Sequence, residues 1–478
     1  MVERIGVLGA GYVGLTSAAC FAAMGHQVSA VDIDAAKIAR LDAGEVDLAE
    51  PGLAGLVAEG TRAGTLAFGT GLDALAGREL VFLCLPTPPG EDGAPDLGPF
   101  RDALRRLGRI LSPGTVLVTK STVPVGTAGR LPGFLGRADL PVVSNPEFLR
   151  EGHAVHDFRH PDRVVVGADP PDSPAACRVA QLYAPTGADV VRTSSASAEL
   201  AKYASNGFLA VKASYANAVA ELCEQYAADI REVSAVMGLD PRIGPHFLAP
   251  GPGWGGSCLP KDTSALLQAA DAAGVEFSLL RDAVRANARQ RARMVRAIRS
   301  AATGSPDGSL DGVRIGVLGL AFKAGTADLR ESPAVAVAAE LARRGAEVTA
   351  YDPAVRSDAD GYLVVDDPYL VAKDAAALAV LTEWPEFRDL DWRRLAAAAD
   401  RPVVVDTRNV LDPFAVAEAG FARVGVGTPM EVPDACSRPR LHPQALAGPL
   451  QQRSDRPAAA RPVRRAGGDR RTGPGRRP

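Results

Sequence analysis

The chain has 478 residues, 47% of them hydrophobic and 23% charged, which suits two or three soluble domains and leaves no apolar run of membrane-spanning length. Early charge and glycines in MVERIGVLGAGYVG are unlike a secretory leader, so a cytoplasmic protein with no membrane partner is expected. The net charge of −3 conceals a basic end on an acidic body, and the six cysteines (Cys20, Cys84, Cys177, Cys223, Cys258, Cys436) lack the spacing of a disulfide framework or a metal site.

In chain order, residues 3–34 read as an apolar strand, a glycine turn, an Ala-rich helix and a second strand ending at Asp32. Gly9, Gly11 and Gly14 form G-x-G-x-x-G at the helix start, where free amides and the helix dipole suit a pyrophosphate. Asp32 follows at the distance of a ribose hydroxyl, so the unit predicts a dinucleotide site. Apolar runs at Leu80–Pro86, Thr115–Pro124 and Pro141–Leu149 read as buried parallel strands. Thr87, Thr122 and Glu147 fall at their carboxyl ends, where such sheets gather ligands; loop threonines also serve as caps and turn formers.

From Ser195 the chain reads as one long Ala-rich helix or two abutting ones, with Gly207 a small cost within it. It is long enough to join domains or to form a dimer interface. Lys202 and Asn206, four apart, share a face, either as a solvated pair or as part of a site. The stretch PGPGWGGSCLPKD, Pro250–Asp262, sets Cys258, Lys261 and Asp262 beside a run of glycines. A Gly-rich loop admits a ligand close to the main chain, and a lysine and an aspartate three and four positions on can lie beside the thiol. The bland alternative is a turn with a buried cysteine.

A second strand–turn–helix–strand unit begins at Val313, without the third glycine. Lys323 and Arg330 near its turn suggest a phosphate gripped by side-chain charge, and Arg408 follows a later strand. After Pro429 the periodicity ends. Residues 432–478 hold 11 Arg and three Asp and almost no large apolar residues, which reads as a disordered tail or an out-of-frame extension rather than a nucleic-acid-binding segment. The expected fold is therefore α/β, two Rossmann-like domains with parallel sheets joined by a long central helix. The divisions are 1–194 for the cofactor, 195–300 for the helical part with the cysteine loop, 301–431 for the half that takes a phosphorylated substrate, and the 432–478 tail.

Taken together, GAGYVG, CLPTP, KSTVPVGT, NPEFLREG, ELAKYASN, RIGPHFLAPGPGWGGSCLPKD, LGLAFKAGTADLRESP and DTRNVLD resemble the UDP-glucose/GDP-mannose dehydrogenase family over roughly residues 1–430. The resemblance implies a four-electron oxidation of a sugar C6 alcohol to a carboxylate with two NAD⁺ and one water. HAVHDFRHPDRVVVG points to UDP-glucose as substrate, with GDP-mannose the alternative. It implies Cys258 as nucleophile, Lys202, Asn206 and an Asp262-held water around the reacting oxygen, and Glu147 as base for thioester hydrolysis with Thr122 beside it. Lys202, and Lys261 further off, would favour the thiolate. It assigns NAD to Gly9, Gly11, Tyr12, Val13, Gly14, Asp32, Lys37, Thr87, Thr122, Glu151, Lys261 and Arg330. It assigns the sugar nucleotide to Phe148, Leu149, Arg150, Glu151, Lys202, Asn206, Phe247, Gly255, Lys323 and Arg408, with Arg242 donated across a homodimer boundary. Three departures stand out: Trp254 where relatives hold Phe or Tyr, Ala324 after Lys323, and the Arg-rich tail. A single-step hydroxy-acid or 6-phosphogluconate-like dehydrogenase would need neither the thiol nor the second nucleotide-like half, and a non-catalytic nucleotide-sugar-binding protein would not need Cys258, Lys202, Asn206 and Glu147 intact.

Overall fold

Strands rich in Val, Ile and Leu with both faces covered dictate the architecture, since each must be flanked by helices on either side of a sheet. The computed structural model describes residues 2–88, 90, 95–356 and 361–429. The tail expected at 432–478 lies outside the described residues. In the first half the order is β1 (Arg4–Leu8), α1 (Tyr12–Ala23), β2 (Gln27–Val31), α2 (Ala35–Asp42), α3 (Leu53–Arg62), β3 (Leu66–Gly69), β4 (Leu80–Leu83) and α4 (Gly98–Leu107). It continues with β5 (Val116–Thr119), α5 (Thr127–Leu135), β6 (Val142–Ser144), α6 (Ala154–Arg159), β7 (Val164–Gly167), α7 (Pro174–Leu182) and β8 (Val190–Thr193). The eight strands lie in the order β3-β2-β1-β4-β5-β6-β7-β8. All pairs are parallel except β6–β7, which meet antiparallel at Ser144 opposite Gly167, so the sheet is parallel with one reversed junction. β4, β5 and β7 are buried along their whole length. The reversal of order between β1 and β4 opens the crevice in which such sheets bind ligands.

The helical middle comprises α8 (Ser195–Tyr226), α9 (Ile230–Leu239), α10 (Leu259–Ala272) and α11 (Ser278–Thr303). Of the two helical readings of this stretch, the abutting pair is the one found. Ala227 adopts a left-handed conformation at φ 53 that stops α8, and the Asp229 side chain caps α9. Gly207 proves to be a packing device rather than a cost, because a Cβ there would stand 3.0 Å from Leu266 on α10.

The second half runs β9 (Arg314–Leu318), α12 (Pro333–Arg343), β10 (Glu347–Tyr351), β11 (Tyr362–Val365), β12 (Ala377–Val380), α13 (Trp392–Ala398), β13 (Val403–Asp406), α14 (Pro413–Glu418) and β14 (Ala422–Gly425). Its six strands are all parallel, ordered β11-β10-β9-β12-β13-β14, the same switch of order as in the first sheet. The echo extends to the acid after the second strand, with a difference of use. Asp352 is fully buried, and its carboxylate accepts the Leu320 and Ala321 amides at 2.7 and 2.9 Å and the Trp384 indole at 3.0 Å. That carboxylate braces its own turn.

Candidate active site

At the β1–α1 turn each glycine has its own reason. Gly9 has φ +99, and a Cβ there would lie 2.5 Å from the Cys84 carbonyl oxygen. A Cβ on Gly14 would overlap the Gly9 carbonyl, while one on Gly11 would meet nothing within 4 Å. The turn is thus sealed against the protein on two sides and open at Gly11, where the first amides of α1 face outward. This fits a pyrophosphate. Asp32 accepts the Ala10 amide at 2.8 Å, the Asp34 amide at 3.0 Å and the Lys37 ammonium at 3.1 Å. Burial would raise its carboxyl, but these amides and Lys37 outweigh it and hold Asp32 below the usual range. Tyr12 and Val13 open α1, the Val13 side chain packing on the first core. The Tyr12 hydroxyl is buried, and burial and the Glu50 carboxylate push it far up.

The reactive groups converge at the start of α10. Cys258 is its N-cap residue, with Pro260 in the first turn. Asn206 donates to Asp262 at 2.6 Å, and Lys261 reaches the other Asp262 oxygen at 2.6 Å. Lys202 forms a buried ion pair with Glu147 at 2.9 Å, and Glu147 also accepts the Leu149 amide at 2.7 Å. Burial would lower Lys202, but the carboxylates of Glu147 and Asp262 and the Cys258 thiol raise it, so it is an ammonium. Burial would raise Glu147, but Lys202 and the Leu149 amide bring it below the usual range. For Cys258, burial and Glu147 raise the thiol above its ordinary value, and Lys202 only partly offsets them. Lys202 thus acts on the thiol in the expected direction but is outweighed, while Lys261 is turned to Asp262.

The glycine loop before Cys258 is clasped by buried amides. The Asn287 side chain bonds both the amide and the carbonyl of Trp254 at 2.9 Å, and the Trp254 indole donates to Ser214 at 2.8 Å. Asn217 and Gln290 hold Gly251 at 2.9 and 2.8 Å. Trp254 is therefore an anchor turned into the core, and its extra N–H over Phe is used by Ser214. A Cβ at Gly255 would overlap the Glu331 carbonyl, and one at Gly256, which has φ +82, would stand 2.7 Å from the Phe322 ring.

A junction forms around Glu151. Its carboxylate accepts Ser257 at 2.9 Å, and Thr326 and Arg330 at 3.4 Å, while the Lys323 ammonium bonds its carbonyl. Burial and the Asp328 carboxylate raise Glu151. Arg330 is held by Asp328 at 2.6 Å. Arg408 contacts the Leu381 and Phe322 carbonyls and the Glu383 carboxylate at 3.1 to 3.2 Å, and presses against Gly251. Phe148 lies between Arg163 and Lys202, 3.8 and 5.3 Å from its ring centre. Thr87 donates to the Thr122 carbonyl at 2.8 Å, tying two strand ends together. Arg150 turns away to Asp157, and Phe247 is half-exposed with φ 63. Arg242 is largely exposed and bonds Asp240 among the described residues. The described residues contain no group of three His, Cys, Asp or Glu side chains fit for a metal ion, and no helix long and apolar enough to cross a membrane.

Three successive domains of one family match: the NAD-binding domain of the UDP-glucose/GDP-mannose dehydrogenase family over residues 3–187, its central domain over 196–289 and its UDP-binding domain over 316–413. The chain belongs to the UDP-glucose/GDP-mannose dehydrogenase family. It is 43% identical over 439 residues to a UDP-glucose 6-dehydrogenase of Rhizobium meliloti, covering 89% of this chain and all of that one. The structure is similar to a UDP-glucose dehydrogenase of Pyrobaculum islandicum, with TM-score 0.80 and 36% identity over 90% of this chain and 98% of that one. It is also similar to a UDP-D-ManNAc dehydrogenase of Pyrococcus horikoshii, with TM-score 0.79 and 29% identity over 90% of this chain and all of that one.

Within this dehydrogenase framework the structure adds groups that sequence reasoning missed. Glu199, one turn before Lys202, accepts the Gly126 and Ala128 amides and so pins the loop carrying Thr122 to α8. Glu50 holds the Gly152 and Ala154 amides beside the Glu151 junction. Asn287 and Gln290 lie on α11 among arginines and alanines; their spacing of three was the only visible signal, and nothing in it told of the loop they hold.

Proposed function

We propose that the chain is an NAD-dependent UDP-glucose 6-dehydrogenase, converting UDP-glucose to UDP-glucuronate with two NAD⁺ and one water. The observation that carries this reading is the convergence of Cys258, the Lys202–Glu147 pair and the Asn206–Asp262 pair at the N-terminus of α10, beside the Glu151 junction. A single alcohol oxidation needs no thiol; an aldehyde that must become an acid does. The Gly9–Gly14 turn, Asp32 and Lys37 would hold NAD⁺, which would supply the hydride acceptor in both oxidations.

The chain's own residues do the rest. Lys202, as an ammonium, and the Asn206 amide stabilise the oxygen as it becomes negative, and its proton leaves through water toward Asp262. Cys258 adds to the aldehyde carbon, forming a C–S bond as the carbonyl oxygen takes a proton. Oxidation of this thiohemiacetal gives a thioester. Glu147 takes a proton from the water that attacks the thioester carbon, and the C–S bond breaks to return the thiol and release the carboxylate. Thr122 and Thr87 shape the cofactor side, and Glu151 and Arg330 border it. Phe148, Leu149, Gly255, Lys323 and Arg408 line the sugar-nucleotide side.

The chain divides at 194 and 300 and is a cytoplasmic homodimer, with Phe247 a contact of the sugar nucleotide and Arg242 reaching the partner's site. What supports the dimer is a stripe on α8. Phe208, Tyr215 and Leu222 stand seven residues apart and exposed, continued by Leu200 and Tyr226. A seven-residue apolar repeat is the pattern of a helix that pairs with another.

The test is NADH yield with UDP-glucose, GDP-mannose and UDP-galactose in parallel. Two NADH per UDP-glucose is expected, with Cys258→Ser losing turnover. One NADH with release of free aldehyde, or full activity in Cys258→Ser, would sink the mechanism.

A further inference from the structure

Lys120 follows β5 directly and is 4% exposed. Its ammonium donates to the Asn145 side-chain oxygen and to the Tyr183 hydroxyl, both at 3.2 Å, and lies 5.8 and 5.7 Å from the Phe158 and Tyr183 ring centres. Among the described residues it forms no ion pair with a carboxylate, and a buried ammonium without one is costly. The link between these elements does not depend on it. Tyr183 donates directly to Asn145 at 2.6 Å and the Asn145 amide donates to the Val165 carbonyl at 2.8 Å, so the same elements are joined without the lysine.

Position supplies the use. β5 and β6 pair up to Thr119 opposite Ser144, and the Asn145 amide bonds the Thr119 carbonyl at 2.9 Å. Lys120 therefore abuts the residue two before Glu147. The ionisable groups around it are Glu147 beyond β6, Lys202 on α8, Cys84 after β4 and Cys20 on α1. Those around Glu147 are Lys202, Lys120, Tyr12 on α1, Cys84 and Cys258.

We propose that Lys120 is a positioning residue for the reaction, a second buried cation that holds Glu147 as an anion when Lys202 is drawn to the substrate oxygen. This rests on the roles of Glu147 and Lys202 given under Proposed function. Burial brings the Lys120 ammonium down to about 8, so its support fades as pH climbs past that point.

The experiment compares wild type, Lys120→Met and Lys120→Arg by melting temperature, by the pH dependence of turnover with UDP-glucose and NAD⁺, and by the infrared carboxyl band that Glu147→Gln removes. In Lys120→Met the melting temperature at neutral pH is expected to hold or rise, because a costly charge leaves and no partner is orphaned. Turnover falls, and the acid limb and the Glu147 band both move to higher pH by about one unit, the scale of a lost nearby opposite charge. Lys120→Arg keeps both near wild type. An unmoved band and acid limb, or a fall in melting temperature that accounts for the lost turnover, would overturn the proposal. Should wild type fail to oxidise UDP-glucose, the functional reading fails by itself, and the infrared titration still decides on Lys120.

Discussion

At the scale of residues, the Cys258 thiol carries the sharpest prediction. Burial and the Glu147 carboxylate hold it above its ordinary value despite its place at a helix N-terminus. In the free protein it is therefore a thiol at neutral pH, and inactivation by iodoacetamide should rise about tenfold per pH unit from about pH 6 to 9. A rate that levels off near neutrality would mean that the helix terminus and Lys202 dominate instead. In the proposed reaction the proton must then leave as the sulfur attacks. The sequence shows Cys258, Lys202, Asn206 and Asp262 as chemistry-bearing residues because two spacings of four, and a run of glycines, set them apart. It does not show who neutralises whom. The Lys202–Glu147 pair joins residues 55 apart, and a lysine after a strand, as at Lys120, looks the same whether it points to water or into the core.

At the scale of elements, the β1–α1 turn separates folding from binding. Gly11→Val puts its side chain into open space with backbone angles any residue adopts, so the melting temperature should stay within a few degrees while NAD binding weakens about tenfold or more. Gly14→Ala drives a methyl into the Gly9 carbonyl and should cost about 1–3 kcal/mol of stability along with NAD binding. Calorimetry beside an NAD titration separates the two, and equal losses of stability in both variants would contradict this division of labour. The turn was legible because strand, glycines, helix and acid follow in a fixed order with local spacing. Its echo at β9 was legible as order but not as use, since nothing in the letters says that Asp352 faces inward. The break between α8 and α9 lies at Ala227, a residue that signals continuation rather than a stop; the end is set by tertiary packing and by Asp229 capping the next helix.

At the scale of the whole molecule, both Rossmann-like halves were legible from runs of Val, Leu and Ile between Ala-rich helices. The surface they leave exposed was not, because the exposure of Phe208, Tyr215 and Leu222 depends on which face of α8 the rest of the chain covers. Phe208→Glu with Tyr215→Glu should halve the mass seen by light scattering while leaving the melting of an isolated subunit little changed, since neither side chain is buried in one copy. An unaltered mass would remove α8 as the interface.

The clasp on the cysteine loop has a kinematic consequence. The side-chain hydrogen bonds described for residues 250–257 run to α8 and α11, except those of Ser257, which reach Glu151 and the neighbouring Cys258 thiol. The loop also rests on Glu331 and Phe322 of the second half. Anything covalently held on Cys258 is thus carried by the helical middle, which is tied to the first sheet through the Lys202–Glu147 pair, Glu199 and the Ser257–Glu151 bond, and to the second half where the loop rests on it. In the proposed reaction two cofactors come and go while one sugar stays attached, and a nucleophile mounted on the helical middle rather than on the β1–α1 turn would let that exchange proceed without disturbing the bond it has made.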